Sequence, residues 1–226
     1  MGSGLSLSTI RTTEGKNIMG MYGHLRQITP AELERLRDAP EDVEEFIHGK
    51  MLARLARIEA AVDEQSKVAR VAGRELSPGE ERKIRSEVFK KLMEESPLQD
   101  GPDVEGLRLE KSWHALHYLL NGTAEQAAPP LGNTIMGGEE IGEERDYGRV
   151  RFLTPLEVRQ VAEALATISK DDLVRRFDIA NMQAVNVIYP CRDQSEVELA
   201  QHYFEHLSRY YADAAASGNG MLLWVD

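Results

Sequence analysis

The chain has 226 residues, a formal charge of −11 and a pI of about 5.1; this balance argues against a nucleic-acid partner, because tracking phosphates needs clustered Lys and Arg that release counterions. A unit of this length buries about 70% of its unfolded surface without staples, and its single cysteine, Cys191, has no partner within the chain, which points to a reducing compartment or to no redox role, with a buried, inert thiol expected. No run reaches the roughly eighteen apolar residues of a membrane span, and no basic-then-apolar leader is present, so the expectation is a soluble cytoplasmic protein with no membrane partner.

Residues 1–18 are polar, rich in Gly, Ser and Thr and without period, which predicts a disordered leader or appended extension before a single domain at 19–226. Partial alternation over 21–28 predicts a first strand. Thr29, Pro30 and Glu32 then form a capping-box signature that predicts a short helix over AELERLRDA. Pro40 opens a second helix. Its apolar residues Val43, Phe46, Ile47, Met51, Leu55, Ile58 and Val62 recur at three- and four-residue steps, one core-facing stripe to about Glu64. From 65 to 98 the chain is densely charged, with a break at Gly73 and a cap at Ser77-Pro78-Gly79-Glu80 before a third helix carrying Ile84, Val88, Phe89, Leu92 and Met93. That stripe is narrow, so 65–98 is expected to be a charged helical insertion packed on the edge of the domain or against a partner.

Gly101-Pro102 and Gly106 mark a loop leading to a helix with Leu109, Trp113, Leu116 and Leu120 on one face, closed by Asn121-Gly122. After Pro129-Pro130 an acidic, glycine-studded loop runs to Gly148, followed by a predicted strand at 149–153. Thr154-Pro155-Leu156-Glu157 repeats the earlier cap and starts a helix with Val158, Val161, Ala162, Leu165 and Ile168. The two strand–Thr-Pro-x-Glu–helix units are the one internal echo in the sequence, although the tetrapeptide is also ordinary capping chemistry. Ser169 caps a short helix to Phe177, a turn follows at 179–182, and residues 184–190 read as a strand. Ser195 and Glu198 open a long helix to about Ala216. Gly218-Asn219-Gly220 ends it, and Met221-Leu222-Leu223-Trp224-Val225 has the unbroken apolar run of a strand buried on both faces. Strands alternating with helices and ending in an interior strand predict an α/β architecture: a mixed, mostly parallel sheet covered by helices, with the helical insertion.

With these pieces in view the chain resembles the YfbM-like family, a bacterial group classed as a domain of unknown function. The resemblance rests on Met19-Gly20-Met21, on the helix at 109–122 with Lys111, Trp113, Leu116 and His117, on Leu131-Gly132, on Ile188-Tyr189-Pro190 and on Gly218-Asn219. It implies a compact cytoplasmic α/β domain and no settled activity or catalytic residues. The charged segment 65–98 departs from the shorter members.

The candidate site residues lie between 113 and 151. His114 and His117 are one helical turn apart; His117 suits an acid or base because imidazole titrates near neutral pH, and Trp113 suits a stacking wall. The first reading of the same residues is helix packing, with His117 bonded to backbone in the core. Glycines at 132, 137 and 138 would admit a ligand to backbone amides, with Asn133 and Thr134 as donors, yet neither phosphate-loop nor dinucleotide spacing is present. Glu139 is a candidate acid or base within a run that also reads as a solvated loop, and Arg151 is a candidate anchor for an anion or for those carboxylates. His202 and His206 have the spacing of a helical metal pair, but the rest of a zinc motif is missing, so no metal and no cofactor are expected. Two functions follow: a non-enzymatic interaction module that uses the acidic surface and the helical excursion to engage a protein partner, and, as the alternative, a small-molecule hydrolase or transferase with Trp113, His117, Asn133, Thr134, Glu139 and Arg151 around its ligand.

Overall fold

The computed structural model describes residues 21–95, 106–190 and 193–226. In chain order its elements are β1 (Gly23–Ile28), α1 (Pro30–Asp38), α2 (Val43–Val71), α3 (Pro78–Glu95), β2 (Leu107–Arg108), α4 (Trp113–Asn121), β3 (Glu139–Ile141) and β4 (Val150–Leu153). They continue with α5 (Pro155–Leu165), α6 (Lys170–Arg175), α7 (Ile179–Ala184), α8 (Gln194–Ala216) and β5 (Gly220–Val225). Both Thr-Pro-x-Glu signals start helices as expected. The Thr29 and Thr154 hydroxyls accept the N–H groups of Glu32 and Glu157 at 3.3 and 3.4 Å, and the two carboxylates reach back to the cap N–H groups at 2.9 and 2.8 Å. Each closed box contributes about 1 kcal/mol and fixes where its strand ends and its helix begins.

The sheet corrects the expected parallel architecture. Its order is β2-β1-β5-β4-β3, and every neighbouring pair is antiparallel. The physical reason lies in β5. Met221 and Leu223 enter one apolar cluster with residues of α4, α5 and α8, whereas Leu222 and Trp224 enter a second with Leu33 and Leu36 of α1 and Val43 and Ile47 of α2. A central strand covered by helices on both faces reads as a continuous apolar run whichever way its neighbours point, so the run shows burial and not direction. β1 and β4 flank β5, each antiparallel to it, and their capped helices go to opposite faces: α1 to the second cluster, α5 to the first.

The predicted strand at 184–190 is absent. The chain there leaves α7 and takes an irregular path, with Asn186 and Tyr189 at φ of 59° and 54°. Val187 is still buried, and the backbone N–H of Ile188 is satisfied by a side chain, His114 Nδ1 at 2.8 Å, so no strand partner is needed. Two short strands are not expected from the sequence, β2 between the predicted loop and helix and β3 within the predicted acidic loop; each is too short to show a period. Pro40 begins a 3-10 turn, Pro40–Asp42, ahead of α2, and α2 runs on to Val71, past the expected end near Glu64. Segment 65–98 supplies the last turns of α2 and all of α3; residues 96–98 lie outside the described set, as do Cys191 and residues 1–18. Among the described residues no helix is long and apolar enough to cross a membrane.

The larger core is tied to the loop after α4 by Tyr211, which is fully enclosed on α8 and donates its hydroxyl to the Thr134 carbonyl at 2.9 Å. Burial pushes its phenol well above the ordinary range, so it stays a donor. Tyr211→Phe keeps the ring and strands the carbonyl; the expected loss is about 1–2 kcal/mol in a urea titration, with the slope unchanged.

Candidate functional site

α4 presents the residues that the sequence singles out. It ends on Gly122 at φ 73°, a left-handed cap that returns the chain beneath the helix. Trp113, His114 and His117 are all buried, and every ring nitrogen except His117 Nδ1 meets a backbone group. Trp113 Nε1 donates to the Met21 carbonyl at 3.2 Å, and its ring stacks on His114 at 4.8 Å. His114 Nε2 lies 2.7 Å from the Ala124 carbonyl while its Nδ1 accepts from Ile188 N–H. His117 Nε2 lies 2.9 Å from the Glu125 carbonyl, and Asn121 Nδ2 approaches its Nδ1 at 3.4 Å. These partners assign both rings as neutral Nε2–H tautomers. Burial lowers both above all; for His117 it outweighs the Glu125 carbonyl and brings the value to about 4, and for His114 it outweighs the Ala124 carbonyl. Rings held this way clamp two loops onto α4.

Asn133 and Thr134 belong to a 3-10 turn, Leu131–Thr134, packed against α4 and α5. Asn121 Nδ2 and the Thr134 hydroxyl both donate to the Leu131 carbonyl, at 3.4 and 2.6 Å. A Cβ on Gly132 would lie 2.0 Å from the Ala127 carbonyl oxygen, so this glycine makes room for the protein's own backbone. Glu139 and Arg151 lie elsewhere, on the β3–β4 ladder, with Glu139 exposed. Arg151 sits 3.5 Å from Glu140, and Arg149 pairs with Glu144 at 3.2 Å and with the Gly142 carbonyl at 3.0 Å. The structure thus brings Trp113, His117, Asn133 and Thr134 into the larger core's α4 region and puts Glu139 and Arg151 at the sheet edge. Among the described residues no hydrogen bond or ion pair joins the two groups.

Sequence reasoning missed a third constellation, on the opposite face of the sheet. His24 of β1 stands across from Trp224 of β5, and the rings stack at 5.1 Å. His24 Nε2 is 2.7 Å from Asp226 Oδ1, and Trp224 Nε1 donates to Asp226 Oδ2 at 3.3 Å. His48 of α2 meets the edge of the same indole at 6.2 Å and accepts from Arg145 Nη2 at 3.1 Å, and Arg145 Nε holds Glu44 at 3.0 Å. Burial, reinforced by the Arg145 charge, lowers the His48 value, as a ring that must accept requires. Burial alone would raise Asp226, but the His24 hydrogen bond and charge, with Trp224, leave it lowered. A His–Asp pair is acid/base equipment in an open cleft; here His24 is 3% exposed and roofed by Trp224. His24 Nδ1 and Arg145 Nη1 are buried without partners. Residues 202 apart carry no spacing signal; strand parity, which sets His24 on the face opposite Leu25, was the one available clue.

An open depression of about 420 Å³ lies between α5 and α8, lined by Leu165, Ile168, Lys170, Phe204, Glu205 and Arg209. None of the predicted site residues reaches it, and Lys170 is paired with Glu205 at 2.5 Å. His202 and His206 face each other at 4.4 Å on the exposed side of α8, and no group of three metal-ligating side chains occurs among the described residues.

A family model described as "Domain of unknown function (DUF1877)" matches residues 19–224. A solved structure, "The Crystal Structure of a Protein of Unknown Function YfbM from Escherichia coli", aligns at TM-score 0.53 and 14% identity over 91% of this chain and 99% of that one, a likeness of fold. No curated protein matches.

Proposed function

The chain belongs to the DUF1877 family, and on that premise we propose that it is a non-enzymatic interaction module whose docking element is the α2–α3 hairpin. The observation that carries this reading is the hairpin's unshared apolar surface. α3 packs chiefly on α2, burying Ile58, Val62, Ala69 and Leu92, while Leu55, Val68, Val71 and Phe89 stay exposed, Val71 at 92%. Exposed apolar side chains concentrated on one projecting element mark a contact surface more than scattered ones do. The candidate acid–base groups favour the same reading: the nitrogens of His114 and His117 are engaged within the core, and Arg149 and Arg151 face carboxylates of their own loop.

Photo-crosslinking tests it. A crosslinkable residue at position 89 of the full chain, in extract of the source cell, should give a discrete protein adduct; the same residue at exposed position 163 on α5 should not. Identical patterns from both positions, or none from position 89, would overturn the reading.

A further inference from the structure

We propose that the partner of the hairpin is a second copy of this chain, the two hairpins packing face to face as a four-helix bundle. This rests on the docking reading above and commits it to one occupant.

Charge is the first argument. Residues 43–95 carry eleven acidic and eleven basic side chains, so the whole net charge of −11 lies outside the hairpin. The rest of the chain carries the whole net like charge, whereas two hairpins meet without net repulsion and with both signs available for cross-pairing. A basic partner would be drawn to the acidic remainder and not to the hairpin.

Register is the second. Glu59 of α2 and Arg85 of α3 form an ion pair across the hairpin. The helices run in opposite directions, so one turn from that pair, away from the connecting turn, Leu55 and Phe89 fall at the same level. They are 48% and 50% exposed. Leu55 continues the α2 stripe of Ile58, Val62 and Ala69 that faces α3, at steps of three, four and seven. The seam between the helices therefore opens at this level into an apolar patch made by both. A patch of this kind, set against its own copy about a two-fold axis, makes an isologous contact.

Size is the third. The 18 residues of α3 span about 27 Å, and two adjacent helices are about 20 Å wide, so the hairpin offers a face of about 500 Å² per copy. A total of about 1,000 Å² falls just below the roughly 1,200–2,000 Å² of stable interfaces, the size of a weak, reversible contact.

Sedimentation equilibrium on the full chain from about 2 to 200 µM, at about 50 and 500 mM salt, tests the proposal. The average mass should climb from 25.4 kDa toward twice that value in both salts, because the contact is apolar at its centre and the hairpins that make it carry no net charge. Leu55→Glu and Phe89→Glu should each weaken it at least about tenfold with circular dichroism and melting unchanged. Leu156→Glu, at an exposed site on α5, should leave it intact. A chain that stays at single mass up to the top concentration in both salts overturns the proposal. So does self-association that both hairpin substitutions leave unchanged. A single-mass chain that still crosslinks another protein from position 89 sinks the self-association and keeps the docking reading, whereas a dimer indifferent to both substitutions, with no adduct from position 89, sinks both.

Discussion

Replacing His114 with alanine is expected to remove about 3–5 kcal/mol of folding stability, a large share of the 5–15 kcal/mol typical of a domain. The ring serves two loops at once, through the Ala124 carbonyl at 2.7 Å and the Ile188 N–H at 2.8 Å, and it covers the Trp113 indole. Each stranded buried backbone group costs about 1–3 kcal/mol, and the lost ring adds a cavity term. His114→Gln, which keeps one amide donor and one acceptor, should recover part of the loss. Urea midpoints at constant slope measure both variants. A loss under about 1 kcal/mol for the alanine variant would mean that water takes over both partners and that the clamp is not what holds the loops.

Stability is expected to fall by about 3 kcal/mol as pH drops from about 6.5 to 4, and His117 should cause most of that fall. Its folded value is lowered to about 4 from an ordinary 6.5, chiefly by burial. In this window the unfolded state binds the proton and the folded state refuses it, so the contribution is whole above about 6.5 and is spent by about 4. His114 and His48 are shifted in the same direction and add to the slope. Glu32 and Asp226 are carboxylates with lowered values, so their contributions are whole above the ordinary carboxylate range, begin to be lost only at the foot of this window and go mostly below it. Thermal melting of wild type and His117→Gln across pH 4–7 separates the terms. The variant is less stable at pH 7 and should show a flatter profile; parallel profiles would remove His117 as the cause.

Local chemistry was legible in the sequence and long-range pairing was not. Thr29 with Glu32 and Thr154 with Glu157 announced their helices, because a capping box is complete within four residues. The interior character of β5 was equally plain. Its direction was not, because strand polarity is set by which distant segments flank it, here β1 and β4 on either side. The run at 184–190 looked like a strand because its apolar residues do enter the core, but they do so through His114 and two left-handed residues. At the candidate site Trp113 and His117 were visible as a pair, while His24, Trp224 and Asp226 were invisible until the sheet set β1 beside β5.

That adjacency of β1 and β5 also has a history in time. The pairing of β1 with the central strand joins segments separated by nearly two hundred residues, so its loop-closure entropy is paid late and its formation is slow. At synthesis rates of about 5–20 residues per second, β1 leaves the ribosome about 10–40 s before the strand it needs. Through that interval its apolar residues Leu25 and Ile28, each 1% exposed in the finished fold, and its unpaired edge are open to chaperones and to other nascent chains. The growing chain is thus vulnerable at β1 until β5 arrives.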